Sequence, residues 1–235
     1  TVDPSGLALT TTYGYDVNDN LRSKVEPGGA KTLYAYDSRG RVTFKVDAGG
    51  YVQETRYDDA NQVIGTIAYA TPLDSASLAS PPSDFQMRGL VKPQAADIAE
   101  YRYYDSAGRL AMTVSGTGNV VAMRYDGNGN LIERTAYAAR LPAASIGSAQ
   151  MPAAPTASPT YDQRQRTVYD ALNRAVFQID GLGGVVRQRY DANGNVVERV
   201  AYAGRIPVDT AMTEAAINTA LAAVADSARD QRAVN

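Results

Sequence analysis

The stretches RYDGNGNLIERTAYA (Arg124–Ala138) and RYDANGNVVERVAYA (Arg189–Ala203) agree at 11 of 15 positions and begin 65 residues apart. Either a binding loop occurs twice, or the chain reuses a structural unit. The spacing decides between them. Tyr-Asp recurs with its aspartate at Asp16, Asp37, Asp58, Asp105, Asp126, Asp170 and Asp191, in steps of 21, 21, 47, 21, 44 and 21. A base period of 21 with two insertions marks a repeat architecture, in which each unit is stabilised by its neighbours.

A longer period lies above the short one. Ala-Tyr-Ala closes every second repeat, at Ala68-Tyr69-Ala70, Ala136-Tyr137-Ala138 and Ala201-Tyr202-Ala203, and an insertion follows each time. The chain therefore reads as one continuous array over residues 1–235. Its long units run about 34–100, 101–166 and 167–235, and its insertion arms about 71–100, 141–166 and 206–235. The arms begin alike, at Pro72-Leu73, Leu141-Pro142 and Ile206-Pro207. They are expected to cover a sheet edge or close an end, since open edges invite aggregation. Thr1 is not methionine, and Asp230-Gln231-Arg232 echoes Asp162-Gln163-Arg164. On that analogy the next Tyr-Asp falls just past Asn235, as expected of a piece of a longer chain.

Within a repeat the pattern is β. Val42, Phe44 and Val46 alternate with Thr43, Lys45 and Asp47, the period-two signature of a half-buried strand. Two kinds of turn alternate with the strands. One follows Tyr-Asp, as in Ser38-Arg39-Gly40 and Asn128-Gly129. The other is glycine-rich, as in Gly49-Gly50 and Gly183-Gly184. Asn and Gly supply the positive φ that tight hairpins need. The expected fold is mainly β: stacked hairpins forming a curved or spiralling sheet, with short helical or irregular arms. Helices are expected near Gln94–Glu100 and after Thr213, a candidate N-cap followed by Ile217, Leu221 and Val224 at helical spacing.

Composition narrows the chemistry. The chain has 235 residues, 44% hydrophobic and 20% charged, with a net charge of −2. That suits a globular chain and lacks the basic face that nucleic-acid binding needs. There is no histidine and no cysteine. Ser-His and Cys-His nucleophiles, disulfides and ordinary zinc sites are thereby excluded. The most apolar stretch, near Ala215–Ala225, is far shorter than the roughly 20 residues of a membrane span, so no spanning segment is expected.

The sequence offers three kinds of candidate site. Asp126-x-Asn128-x-Asn130 and Asp191-x-Asn193-x-Asn195 begin like calcium loops. An EF-hand needs glycine at loop position 6 and a bidentate glutamate at position 12; Leu131 and Val196, then Tyr137 and Tyr202, stand there instead. A simpler oxygen site with Glu133 or Glu198 as the further ligand is the metal alternative. The structural alternative is that Asp and Asn bond their own backbone in turns. It fits better, because Asp37-Ser38-Arg39-Gly40 keeps the turn and loses the Asn ladder. The 16 tyrosines read as a ladder of rings with hydroxyls at a wet edge, or else as a surface for stacking sugars. Asp58-Asp59 is the one adjacent acidic pair, and nothing else marks a hydrolytic site. No catalytic residue and no cofactor are assigned, and the chain is expected not to be an enzyme.

YDSRGRV, YDSAGRL, YDGNGNL and YDANGNV, with weaker YDVNDNL, YDDANQV and YDALNRA, resemble the RHS/YD-repeat family. That family includes bacterial Rhs toxins, the shells of insecticidal toxin complexes, wall-associated proteins and teneurins. The resemblance implies a β-sheet spiralling into a hollow shell, often around an effector, and secretion or display at a bacterial surface. The expected partners are neighbouring repeats of the same chain, then an enclosed effector or further copies in a fibre, and glycans in some members. Asp3-Pro4-Ser5-Gly6-Leu7 is similar to the self-cleavage motif of Rhs toxin shells, although here repeats follow it. The long insertions also depart from a plain tandem and leave room for an open assembly.

Overall fold

The computed structural model describes residue 6, residues 9–74, residue 78 and residues 80–234. Asp3, Pro4, Ser5 and Leu7 of the Asp-Pro-x-Gly-Leu motif lie outside the described residues. The chain forms two compact units, Thr1–Arg102 and Tyr103–Asn235. The first contains β1 (Thr12–Tyr15), β2 (Leu21–Val25), β3 (Lys31–Tyr36), β4 (Val42–Val46), β5 (Val52–Tyr57), β6 (Val63–Ala68) and most of β7 (Ile98–Tyr104). The second contains β8 (Leu110–Ser115), β9 (Val120–Tyr125), β10 (Leu131–Ala136), β11 (Gln163–Tyr169), β12 (Ala175–Ile179), β13 (Gly184–Tyr190), β14 (Val196–Arg205) and β15 (Gln231–Val234). In each unit strands pair antiparallel in chain order. The expected array of stacked hairpins is what forms.

The two kinds of turn share one geometry. After Tyr-Asp, the Asp37 N–H donates to Arg41 O and the Gly40 N–H to Asp37 O, and Gly40 has φ +75°. In the glycine-rich turn, Asp47 N–H donates to Tyr51 O, Gly50 N–H to Asp47 O, and Gly50 has φ +83°. Both are three-residue hairpin loops, a type I turn closed by a left-handed residue. Where the weaker repeats lack glycine at that place, Asp19, Asn61 and Asn173 take φ of 60°, 67° and 60°. Short polar side chains tolerate this region through local hydrogen bonds.

A β-bulge follows each Tyr-Asp turn whose pairing is described. Ala35 pairs with Phe44 and Tyr36 with Val42, so Thr43 is the extra residue. Ile64, Ile132, Val176 and Val197 hold the same place in their hairpins. This corrects the simple alternation expected at β4. Thr43 and Phe44 are both buried, and Thr43 Oγ1 donates to Ala35 O at 3.3 Å. A bulge shifts side-chain parity once, which keeps both partners' apolar side chains on one face.

That face is covered by the arms, in place of the edge or end expected of them. In the first unit Leu33, Phe44, Val46, Val52 and Ile67 pack with Leu78 and Met87 of the arm. In the second, Val168, Phe177, Ile179 and Val185 pack with Ile206, Ile217 and Leu221. The first arm's helix, α1, spans Asp84–Leu90 and lies N-terminal to the expected Gln94–Glu100. Ser83 and Gln86 form a capping box there, while Ile98–Glu100 join β7. The second helix, α2 (Glu214–Ala222), starts at the expected cap, Thr213 Oγ1 accepting from Ala216 N–H. The arm between them holds one 3-10 turn, Ala143–Ser145.

Each arm is fixed at both ends by a repeated device. At entry, Leu73, Leu141 and Ile206 donate their N–H to the carbonyls of Gly50, Gly118 and Gly183, each at 2.9 Å. Those glycines combine positive φ with close approach. A Cβ there would lie 2.4, 2.6 and 2.0 Å from the carbonyl oxygens of Leu73, Leu141 and Ile206. At exit, Asp97, Asp162 and Asp230 accept, each at 2.8 Å, the N–H of Ala70, Ala138 and Ala203, the last residue of each Ala-Tyr-Ala. Their other carboxylate oxygens take the N–H of Gln94, Ser158 and Asp226.

Candidate functional site

The candidate site is the Tyr-Asp turn itself. Asp126 Oδ1 accepts the N–H of Asn128 at 2.9 Å and of Asn130 at 2.8 Å, and Oδ2 accepts Asn130 Nδ2 at 2.9 Å. Asp191 repeats the set with Asn193 and Asn195 at 2.9, 2.8 and 2.9 Å. The asparagine side-chain amide first, and the backbone N–H groups with it, hold both carboxyls below the usual aspartate range. The structure thus brings Asp126, Asn128 and Asn130 into one loop, and likewise Asp191, Asn193 and Asn195. It engages the aspartate oxygens with amides.

The glutamates of the calcium alternative face cations. Glu133 accepts from Arg164 Nη2 at 2.7 Å and lies 3.7 Å from Arg124 Nη1. Glu198 is 4% exposed and meets Arg187 and Arg189 at 3.3 Å each, with Arg232 as a third partner. Burial alone would raise both glutamates, but the arginines leave them below their ordinary value. Among the described residues no group of three or more carboxylates is placed to hold a metal ion.

The tyrosines carry the stacking. Tyr36, Tyr57, Tyr125 and Tyr190 donate their hydroxyls to Leu21 O, Val42 O, Leu110 O and Ala175 O at 2.8, 3.2, 3.0 and 2.9 Å. In each case the acceptor is the residue five after the preceding registered aspartate. Tyr169 keeps the rule across an arm, reaching Leu131 O at 3.1 Å. The hydroxyls therefore link hairpins, where a wet edge was expected. Tyr69 of Ala-Tyr-Ala departs further. It is 5% exposed and donates to Glu54 at 2.6 Å. Its pKa is pushed up, by burial first and by Glu54 second.

Glu54 is the most enclosed acid among the described residues, at 1%. Arg56 bonds it twice, at 2.8 and 3.1 Å, and Arg88 of α1 once, at 3.2 Å. Burial would raise its pKa, but the bonds from Arg56 and Tyr69 and the two positive charges hold it below the ordinary glutamate value. Arg88 also lies 5.4 Å from the centre of the Phe44 ring. Acid, helix and core face are thus tied together.

Sequence reading missed the arginine clamps. The residue four after the aspartate alternates between Arg (Arg41, Arg109, Arg174) and Asn or Gln (Asn20, Gln62, Asn130, Asn195). Each arginine bonds its own aspartate through Nε at 2.8 Å. Each also donates through Nη1 to the carbonyl of the next aspartate, Asp58, Asp126 or Asp191, at 2.8, 3.0 or 3.1 Å. Its guanidinium lies over the next tyrosine, 4.6 to 4.8 Å from the ring centre. Paired hairpins are thereby clamped. At the step across the second arm, Asn128 and Asn130 meet Asn173 instead, at 3.0 and 2.8 Å. The alternation was the available signal. Asp97, Asp162 and Asp230 were missed too, although the Asp-Gln-Arg echo marked two of them.

Residues 15–52 match the family model described as RHS Repeat. No curated protein matches the chain. Among solved structures it is similar to the crystal structure of TcdB2-TccC3 without its hypervariable C-terminal region: 13% identity, 81% of this chain and 10% of that one, TM-score 0.45. It is also similar to TcdB2-TccC3-TEV, at 11% identity over 83% and 11% of the two chains with TM-score 0.40. A Tc holotoxin pore of Photorhabdus luminescens gives 11% identity over 83% and 13%, with TM-score 0.35. The chain spans about a tenth of the length of these structures.

Proposed function

We propose that this chain, which carries RHS repeats, is a non-catalytic structural segment of a secreted or surface-displayed YD-repeat assembly. Its hairpins form part of a wall, either of a shell around an effector or of an extended fibre. The observation that carries the reading is the engagement of the recurring side chains. Tyrosine hydroxyls at five registered positions bond the backbone of the preceding hairpin. The aspartate carboxylates beside them close turns. A group engaged in holding the backbone is not free to bind substrate, and stacking of this kind suits quasi-one-dimensional growth.

The test is imaging of the full-length parent protein by electron microscopy. Hollow bodies or filaments are expected. Small compact particles of neither kind would overturn the proposal.

A further inference from the structure

The second arm differs from the other two in what it buries. The first arm sends Leu78 and Met87 into the core, and the third sends Ile206, Ile217 and Leu221. The third also closes over Arg166, which is 2% exposed and donates through Nη1 to Thr210 O at 3.2 Å. No residue from Leu141 to Tyr161 is buried, and none of them is charged.

The later part of this arm is extended. Pro152, Pro155 and Ser158 are half-buried, while Met151, Ala153, Ala154, Thr156 and Ala157 are exposed. A contact at every third residue is the turn of polyproline II, a chain without internal hydrogen bonds. Accordingly, no backbone N–H or C=O from Met151 to Ala157 is hydrogen-bonded among the described residues. An endopeptidase takes its substrate as an extended strand, through free main-chain groups of this kind. Exposed loop segments with small side chains are where folded chains are nicked. In the sheet the same groups are taken up by the ladder, so the arm offers what the strands withhold.

Prolines narrow the choice of bond. Met151–Pro152, Ala154–Pro155 and Ser158–Pro159 each have proline on the leaving side, where the ring nitrogen has no N–H and φ is fixed. Cutting at Pro152–Ala153 or Pro155–Thr156 would put the rigid ring itself in the specificity pocket. At Ala157–Ser158 the leaving N–H is held by Asp162 at 2.7 Å. That leaves Ala153–Ala154 and Thr156–Ala157, each with a small uncharged residue directly after a proline. We propose that the second arm is a processing site, cut after Ala153 or Thr156 by an endopeptidase whose specificity pocket is small, as in elastase. Water adds its hydroxyl to the carbonyl carbon and a proton to the released nitrogen; the C–N bond breaks and nothing is oxidised or reduced.

The two pieces stay together, because every contact that joins the arm's ends lies outside the cut. Ala136 to Glu133 pair with Gln163 to Arg166, and Arg164 bonds Glu133 at 2.7 Å. Leu141 N–H reaches Gly118 O at 2.9 Å, and Asp162 takes the N–H of Ala138 at 2.8 Å. Processing thus opens the chain in the arm without opening the sheet.

The test is limited digestion of the 235-residue chain with pancreatic elastase under native conditions, read by intact mass. New C-termini at Ala153 or Thr156 are expected, and the two products should co-elute in size-exclusion chromatography with the strand signal unchanged. Ala154→Pro combined with Ala157→Pro puts proline on the leaving side of both bonds, at exposed positions whose N–H groups have no partner among the described residues. This variant is expected to fold alike and to lose the cut. Digestion elsewhere with residues 150–158 left intact would overturn the site. Persistent cutting of the variant at these two bonds would overturn the assignment, and separation of the products would overturn the claim that the sheet stays closed. The digest of the unaltered chain decides the matter even if the double variant does not fold.

Discussion

Moving 133 residues along the chain carries the first arm-covered core onto the second. Phe44 becomes Phe177, Val46 becomes Ile179, Gly50 becomes Gly183, Leu73 becomes Ile206 and Asp97 becomes Asp230. These residues make the turns, the bulged strands, the arm entries and the arm exits, and their contacts recur. The buried charges do not recur. Leu33 becomes Arg166, Glu54 becomes Arg187, and Gly65 becomes Glu198. In the first unit the acid on β5 meets Arg56 beside it and Arg88 from α1. In the second the acid has moved to β14 and meets Arg187, Arg189 and Arg232. The frame is held by backbone-directed bonds, so it tolerates opposite charges on its core face provided each charge finds a partner.

Acid attacks the shared frame, and we expect the largest effect from it. Asp16, Asp37, Asp105, Asp126, Asp170 and Asp191 all have carboxyls held below the ordinary aspartate value of 3.8. A depressed folded-state pKa means that the unfolded chain binds protons first on acidification. The stabilisation is therefore complete above that ordinary value and is lost as pH falls through it and below. Circular dichroism during acid titration should show strand loss in both units. Retention of the full strand signal at pH 2 (roughly two units below an ordinary carboxyl) would show that the carboxylates do not hold the turns.

Leu33→Arg attacks the difference. It puts an unpartnered guanidinium into the first core and should cost on the order of 3–5 kcal/mol, as uncompensated buried charges do. Urea denaturation measures it. A negligible loss would mean that this position is adaptable and that the contrast with Arg166 has no energetic basis. Gly50→Ala and Gly183→Ala should cost alike, about 1–3 kcal/mol from positive φ alone. They should also raise hydrogen exchange at the Leu73 and Ile206 amides respectively. Unequal losses would show that the two arms are not anchored in the same way.

The smallest expected effects separate the two classes of tyrosine. Tyr57→Phe removes a neutral bond to Val42 O and should cost about 0.5–1.5 kcal/mol. Tyr69→Phe removes a bond to the buried Glu54 carboxylate and should cost about 1.5–3 kcal/mol. Thermal or urea unfolding of both variants side by side measures the gap. Equal values would place Tyr69 among the ladder tyrosines after all.

The frame was legible because it is local. Tyr-Asp spacing, the Asn and Gly of the turns and the Thr213 cap each act within a few residues, so each leaves a pattern. Helix α1 was also written locally, as Ser83 and Gln86 three residues apart, a capping box more specific than the composition of Gln94–Glu100. The bulges were not legible, since one extra residue changes parity without any marker residue. Asp97 escaped because it precedes Ile98-Ala99, whereas Asp162 and Asp230 precede Gln-Arg. The turn aspartates and asparagines were found where the sequence put them. The amides that engage the aspartates lie within four residues, whereas the engagement of Glu133 and Glu198 by arginines depends on residues up to 34 positions away, as does the partner set of Glu54. Arg166 carries no sequence sign of burial, because nothing near it in the chain says that an arm will fold over it.

The anchoring of the arms has a use in protein engineering. Ala70 and Asp97 are 27 residues apart in sequence and joined by a 2.8 Å bond, as are Ala203 and Asp230. Each arm is thus a loop whose ends already meet. Doubling the length of such a loop adds only about 0.6 kcal/mol of closure entropy. Segments of other lengths, or whole foreign domains, can therefore be grafted between Leu141 and Ser158, where the 3-10 turn is the one regular element, while Gly118 and Asp162 keep the graft's ends in place.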